Sequence, residues 1–428
     1  MASTGSSSSA AVSETTSTDG AVVAGLLTYQ NADTIGAVAA AVRDGLSAHF
    51  AHVPTRIVLV DAGSTDSTVV RARQALGDAV DLVEVVPGRS TADLLDVPYH
   101  GIPGKARALH AILTTARDLT AQACVVFDGG VRTVTPDWVG SLTRPVVEGD
   151  CDFVSPFYQR HAFEGALTKG VVYPVVRALY GVRLRQPAAA EFACSARLAG
   201  HLLHEDLWER SGSPFGIDIW LATAAAAGDF RLGEVSLGVR ARGARGEEAL
   251  DLGGTIAQVV GALFADLELR AGLWQRARGQ VPVERLGAPA VTPMDAPPVD
   301  LERLIDAFRL GFRELRDIWS WVLPPRTIID LKKLIDRPAA EFHLDDELWA
   351  RVVYDFAIGY RLRVVAREHL LRSLVPLYSG WLASYICQVR QGSPEAADLR
   401  IEALAEAFEA QKSYLIARWR WPERLRTG

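Results

Sequence analysis

Asp61-Ala62-Gly63-Ser64-Thr65-Asp66-Ser67-Thr68 follows directly on the run Arg56-Ile57-Val58-Leu59-Val60. A short, almost wholly apolar run rich in Val, Ile and Leu reads as a strand buried on both faces. The acid, glycine and serine after it read as a turn into a helix, predicted over 64–76 with Ser64 as its N-cap. A carboxylate at a strand's end can accept hydrogen bonds from a uracil, guanine or ribose edge, and Gly63 permits close approach. The same residue types also make an ordinary turn.

The pattern repeats outward from this stretch. Apolar runs at 21–27, 81–86 and 121–127 read as further strands, and 33–47 and 104–119 as further helices, the first capped by Asp33. Repeated strand-helix-strand units imply an α/β fold with a parallel, doubly wound sheet. Such sheets bind ligands beyond the carboxyl ends of their strands. Thr28-Tyr29-Gln30-Asn31 leaves the first strand and can offer backbone N–H groups to a base or ribose. Gly101-Ile102-Pro103-Gly104-Lys105 opens a helix with one lysine near its start, which suits a phosphate or sugar but lacks P-loop spacing. Asp128-Gly129-Gly130 leaves the fourth strand, where a metal-diphosphate site is expected. Read singly, each is also compatible with plain turn chemistry.

The rest of the chain narrows the class. Its 428 residues carry a net charge of -6, so no basic field favours nucleic acid. Four scattered cysteines (Cys124, Cys151, Cys194, Cys387) form no CxxC pair, which argues against a zinc site and suits the cytoplasm. Residues 1–20 are Ser-, Thr-, Ala- and Gly-rich, read as a disordered tail without the features of a secretory signal. No membrane span is expected; the stretch 370–389 approaches one but contains Arg372 and Pro376. A nucleotide-binding domain is expected over 21–250. An all-helical domain is expected over 251–428, with a Pro-rich linker at 287–299 and a possible role in a homo-oligomer. His100 and His161 read as surface or packing residues, most of the tryptophans after 300 as core, and Arg418, Arg420, Arg424 and Arg426 as a solvated tail.

Together these strand ends resemble the GT-A glycosyltransferases, and more narrowly the mannosylglycerate synthase and glucosyl-3-phosphoglycerate synthase group. The resemblance continues through Val154-Ser155-Pro156-Phe157-Tyr158, Arg185-Gln186-Pro187 and Phe215-Gly216-Ile217-Asp218, and into the helical half at Glu341-Phe342-His343 and Val353-Tyr354-Asp355-Phe356. It implies a nucleotide-diphosphate-sugar donor, a small polar acceptor such as a glycerate or phosphoglycerate, and a retaining transfer of a hexose. It also implies roles. Thr28, Asn31, Asp61 and Gly63 would hold the nucleoside, with Lys105, Asp128, Gln186 and Arg242 elsewhere in the donor site. Glu191 and Asp218 would be catalytic, Asp218 orienting or deprotonating the acceptor hydroxyl.

Three departures matter. The acidic-x-acidic metal motif of the group reads Asp128-Gly129-Gly130, leaving Asp128 as the one carboxylate for a Mg or Mn ion. The Gly-Gly-Glu segment reads Ala189-Ala190-Glu191, and the position of a metal-binding histidine falls on Arg242. Arginine stays protonated and is not a usual metal ligand. Losing an anion and gaining a cation moves the site by about two charge units, roughly a divalent ion's contribution. With Arg240 and Arg245 nearby, this points to a donor site that works without metal. The alternative is a catalytically silent GT-A scaffold that binds a nucleotide sugar or a partner protein.

Overall fold

The computed structural model describes residues 20–77, 80–84, 102, 104–205, 208, 216–242, 252–281, 283–287 and 297–422. The expected strands form as β1 (Val22–Thr28), β2 (Thr55–Asp61), β3 (Val80–Glu84) and β4 (Ala123–Asp128). Between them lie α1 (Ile35–His49), α2 (Thr68–Leu76) and α3 (Lys105–Asp118). The chain continues through α4 (Pro136–Val147), β5 (Phe153–Gln159), α5 (Tyr173–Tyr180), β6 (Phe192–Ser195), α6 (Ala196–Leu203), α7 (Ile217–Ala227) and β7 (Leu232–Val239). The sheet runs β3-β2-β1-β4-β6-β5-β7-β8, where β8 is Glu284–Leu286. All neighbours pair in parallel except β6, which is antiparallel to both β4 and β5. A mostly parallel sheet with one reversed strand beside the central strands, followed by a helical half, is the GT-A architecture expected from the sequence.

Strand β1 shows why the sheet is covered on both faces. Val22, Ala24 and Leu26 pack with α1 and α4 in one cluster, while Val23 and Leu27 pack with α3 in another. The second cluster continues without interruption into the helical half, through Trp319, Trp349, Trp381 and Trp419. Strand and helix half therefore share one hydrophobic core.

That half contains α8 (Leu252–Leu269), α9 (Ala271–Trp274), α10 (Leu301–Val322), α11 (Pro325–Lys332), α12 (Asp346–Leu362), α13 (Arg367–Ser373), α14 (Val375–Val389), α15 (Pro394–Ala410) and α16 (Lys412–Arg420). It also supplies β8, an edge strand of three residues whose pattern is too short to recognise in the sequence. Among the described residues one helix, α8, is long and apolar enough to cross a membrane, and not the stretch 370–389 that the sequence points to. Its Ile256, Val259, Val260, Leu263, Phe264 and Leu267 belong to the core cluster, and its Asp266 accepts a hydrogen bond from Tyr180 at 2.5 Å. In the fold it is a core helix.

Two caps differ from expectation. The first helix begins after Thr34 and the second after Ser67, so neither Asp33 nor Ser64 is the N-cap. Ser64 is drawn into the turn made by Asp61, and Asp66 accepts from the Thr68 backbone N–H at 2.9 Å instead. Arg418 is not a solvated tail residue: it pairs at 2.7 Å with Asp355, whose side chain is fully enclosed. Arg420 donates to Gln275, and Arg424 and Arg426 lie outside the described residues.

Candidate functional site

Strand register brings the first acids together. Thr28 pairs with Asp61 across β1 and β2, and Leu27 pairs with Asp128 across β1 and β4. The three strand ends therefore lie in one row. The reversed strand adds a fourth group: Val126 pairs with Phe192, so Glu191 enters the sheet beside the exit of β4. The segment after β7 then crosses back to the β4 loop. It is pinned by a bridge between Val131 and Arg242, by Arg132 N–H donating to the Ala241 carbonyl at 2.8 Å, and by Ala241 N–H donating to Thr133 Oγ1 at 3.1 Å. Alternation along Arg240-Ala241-Arg242 sends both guanidiniums to the same side.

At the β1 and β2 ends the polar groups satisfy one another locally. Asp61 Oδ2 accepts from the backbone of Gly63 at 3.0 Å and of Ser64 at 2.7 Å, and Oδ1 accepts from the Ser64 hydroxyl at 2.6 Å. Gly63 sits at φ 88°, where a side chain would be strained. Ser64 Oγ accepts from Gln30 N–H at 2.7 Å and Thr68 Oγ1 from Asn31 N–H at 2.8 Å, which knits the two turns together. Thr28 is fully buried and donates to Asn31 Oδ1 at 3.1 Å; in this conformation it supports Asn31.

At the β4, β6 and β7 ends the groups are charged and buried. Arg240 grips Glu191 with two bonds, Nε to Oε2 at 3.0 Å and Nη2 to Oε1 at 2.8 Å. The same Nη2 reaches Asp128 Oδ2 at 3.2 Å, and Arg242 Nη2 reaches that oxygen at 2.8 Å. Asp128 Oδ1 accepts from Gly130 N–H at 2.9 Å. Burial pushes the Asp128 carboxyl up, but the charges of Arg242 and Arg240 outweigh it and hold it below the usual range. The Tyr158 hydroxyl donates to Glu191, and its titration is pushed well up by burial and by that carboxylate.

Lys105 and Asp218 close the site from the helix side. Lys105 opens α3 and Asp218 lies in the first turn of α7; Nζ meets Oδ1 at 2.6 Å with both side chains almost wholly enclosed. Gly216, just before, abuts Ala262 of α8 so tightly that a Cβ would lie 2.2 Å from the alanine methyl. The start of α7 is thereby fixed. Burial raises the Asp218 carboxyl, and Lys105 only partly offsets this.

Three carboxylates (Asp128, Glu191, Asp218) thus face three cations (Lys105, Arg240, Arg242). Among the described residues, no group of three or more His, Cys, Asp or Glu is placed to hold a metal ion. The donor set does not fit a divalent ion, because Asp128 is already held by two guanidiniums and the second acid of the motif is Gly130. A Cβ on Gly130 would lie 3.0 Å from Asn31 Nδ2 and 3.2 Å from Asp128 Oδ1, so a side chain there would require both groups to give way slightly.

The structure therefore gathers Thr28, Asn31, Asp61 and Gly63 into one turn pair, and Lys105, Asp128, Glu191, Asp218 and Arg242 into the charged cluster. Gln186 stands apart. Its carbonyl accepts from Ser155 Oγ at 2.9 Å, and among the described residues its side chain makes no hydrogen bond to the cluster. Tyr158, which has no assigned role in the sequence reading, becomes central, and Arg240, expected only as a nearby positive charge, becomes the shared partner of Glu191 and Asp128. The signal for Arg240 was its two-residue spacing from Arg242 after a strand. His161 is a local packing residue, its ring accepting from Phe163 N–H at 3.2 Å. His100 and Arg245 lie outside the described residues.

The chain is 28% identical over 252 residues to glucosyl-3-phosphoglycerate synthase of Mycolicibacterium paratuberculosis, a match covering 54% of this chain and 68% of that one. The chain is thus similar, at low identity, to a glucosyl-3-phosphoglycerate synthase. No family model matches the chain. Solved structures of the Mycobacterium tuberculosis synthase are also similar. The one with Mn2+, UDP and phosphoglyceric acid is 22% identical, with 60% of this chain and 80% of that chain covered at a TM-score of 0.41. The one with Mn2+, UDP and glucosyl-3-phosphoglycerate is 22% identical, with 63% and 90% covered at a TM-score of 0.43.

Proposed function

We propose that this protein transfers a hexose from a nucleotide-diphosphate sugar to a small anionic acceptor of the glycerate or phosphoglycerate kind, with retention at the anomeric carbon. The bond from that carbon to the β-phosphate oxygen breaks, and its electron pair leaves with the nucleoside diphosphate. The acceptor hydroxyl oxygen bonds to the anomeric carbon on the same face, and its proton passes to the departing phosphate oxygen. In this reading the turn pair at Thr28–Asn31 and Asp61–Ser64 holds the nucleoside. Asp218, fixed by Lys105, orients the acceptor hydroxyl, and stabilising the leaving diphosphate is the main protein contribution. The observation that carries it is the row of strand ends that sets Asp61, Asp128 and Glu191 side by side in a chain related to a glucosyl-3-phosphoglycerate synthase. The site would work without a resident metal, and the four unpaired cysteines suit a cytoplasmic enzyme.

The test is incubation of the purified protein with UDP-, GDP- or ADP-glucose and 3-phosphoglycerate. Release of nucleoside diphosphate and a new glucosyl product by mass spectrometry are expected. The anomeric proton coupling of the product should match that of the donor, and Asp218→Asn should abolish product formation. A second reading, the silent scaffold, is favoured by one observation: every carboxylate of the cluster is already paired. Nucleotide binding with no release from any donor would select it.

A further inference from the structure

We propose that Arg242 is the mobile cation that meets the donor's diphosphate in place of a divalent ion, while Arg240 stays behind as the fixed counter-ion of Asp128 and Glu191. This rests on the nucleotide-sugar reading above and assigns the two arginines different tasks.

The difference lies in how deeply each is buried and in what depends on it. Arg240 has 6% of its side chain exposed, and its guanidinium is engaged on one edge by both oxygens of Glu191. Its guanidinium carbon also sits 5.7 Å from the Tyr158 ring centre. Moving it would strip two enclosed carboxylates of their charge partner at once. Arg242 Nη2 meets Asp128 Oδ2 at 2.8 Å, and Arg242 keeps 22% of its side chain exposed, against 6% for Arg240. Its backbone is tied to Val131, so the head can shift while its root stays in place.

Asp128 can release Arg242 without being left a bare buried charge. Its Oδ1 retains the Gly130 N–H at 2.9 Å and its Oδ2 retains Arg240 at 3.2 Å. An incoming diphosphate would then take Arg242 by exchange, the guanidinium trading a carboxylate oxygen for phosphate oxygens. The planar fork matches two phosphate oxygens at once, which a lysine's point charge does not. A divalent ion faces the opposite situation. It would have to displace two guanidiniums from Asp128, and the neighbouring position that would supply a second carboxylate is Gly130, packed against Asn31.

The experiment is calorimetric titration of the full chain with UDP and with UDP-glucose, in EDTA and again in Mn2+. The expected result is affinities within about threefold of each other in the two buffers. Arg242→Ala should weaken UDP about tenfold or more, and Arg242→Lys should recover only part of the loss, with the thermal midpoint of both variants near that of the parent. Thermal midpoints of the variants keep a folding defect from passing as a binding one. A tenfold or greater gain with Mn2+ overturns the inference and spares the glycosyl-transfer reading. Unchanged UDP affinity in Arg242→Ala overturns it as well. Metal-independent binding without turnover supports it and sinks the transfer reading, and no UDP binding in either buffer sinks both.

Discussion

The two ends of one row of strand tips are stabilised in opposite ways. At β1 and β2, Asp61 spends its lone pairs on residues two and three positions ahead, in bonds of 2.6–3.0 Å to Gly63 and Ser64. At β4, β6 and β7, Asp128 and Glu191 are held by Arg240 and Arg242, partners more than forty residues distant in the chain. The first arrangement follows from local turn chemistry around one carboxylate. The second is a buried ion cluster that exists only when three separate segments are assembled.

The largest effect should come from breaking the cluster at its fixed member. Arg240→Ala leaves Glu191 and Asp128, with relative exposures of 0% and 1%, short of their shared cation. Losing one partner of a buried ion network costs about 3–5 kcal/mol, readable as a drop in the urea midpoint. A loss under about 1 kcal/mol would mean the cluster is not the cohesive unit described. Next, Asp61→Ala orphans two backbone N–H groups and a hydroxyl in the turn. About 1–3 kcal/mol of stability should go, together with UDP affinity. If UDP binding persisted, the turn would not be the nucleoside site.

A titration separates the two regions further. Glu234, on β7, accepts from the Arg185 backbone N–H, and burial pushes its carboxyl up to about 7. Its folded form therefore binds a proton more tightly than the unfolded chain does. The stabilisation is complete below the unfolded carboxyl range and is lost as pH rises through about 7. Between pH 5 and 7 the unfolding free energy should decline, by up to about 1 kcal/mol per pH unit from this group. Glu234→Gln should flatten that slope; an unchanged slope would assign it elsewhere. Asp128, held low by its arginines, has the reverse sign and loses its contribution only as pH falls through the acid range. The smallest stability effect is expected from Arg242→Ala, below about 1 kcal/mol, since Asp128 keeps Arg240 and Arg242 is partly solvated. A loss matching that of Arg240→Ala would erase the division between fixed and mobile cations.

The four parallel strands and their helices were legible because both signals are local: Val- and Leu-rich runs, then polar turns with 3.6-residue patterns between them. The strand β8 was not, since three edge residues carry no period. Caps failed for a related reason. Asp33 and Ser64 were suitable residue types, but Ser64 had a stronger partner in Asp61 three residues back. Arg418 read as solvated because nothing near it in sequence announces Asp355, one face of α12 away.

The sequence by itself determined the sheet's parallel core, the turn at Asp61 to Ser64, and that positions 130 and 242 carry neither a carboxylate nor an imidazole. Each depends on residue identity within a few positions. Only the tertiary structure decided what Asp128, Glu191 and Asp218 do with their charge. Register aligned Asp61 and Asp128, the reversal of β6 delivered Glu191, and the crossing after β7 delivered Arg240 and Arg242. Ion pairing inside a protein is fixed by distance and burial, and neither is written in the spacing of residues along a chain.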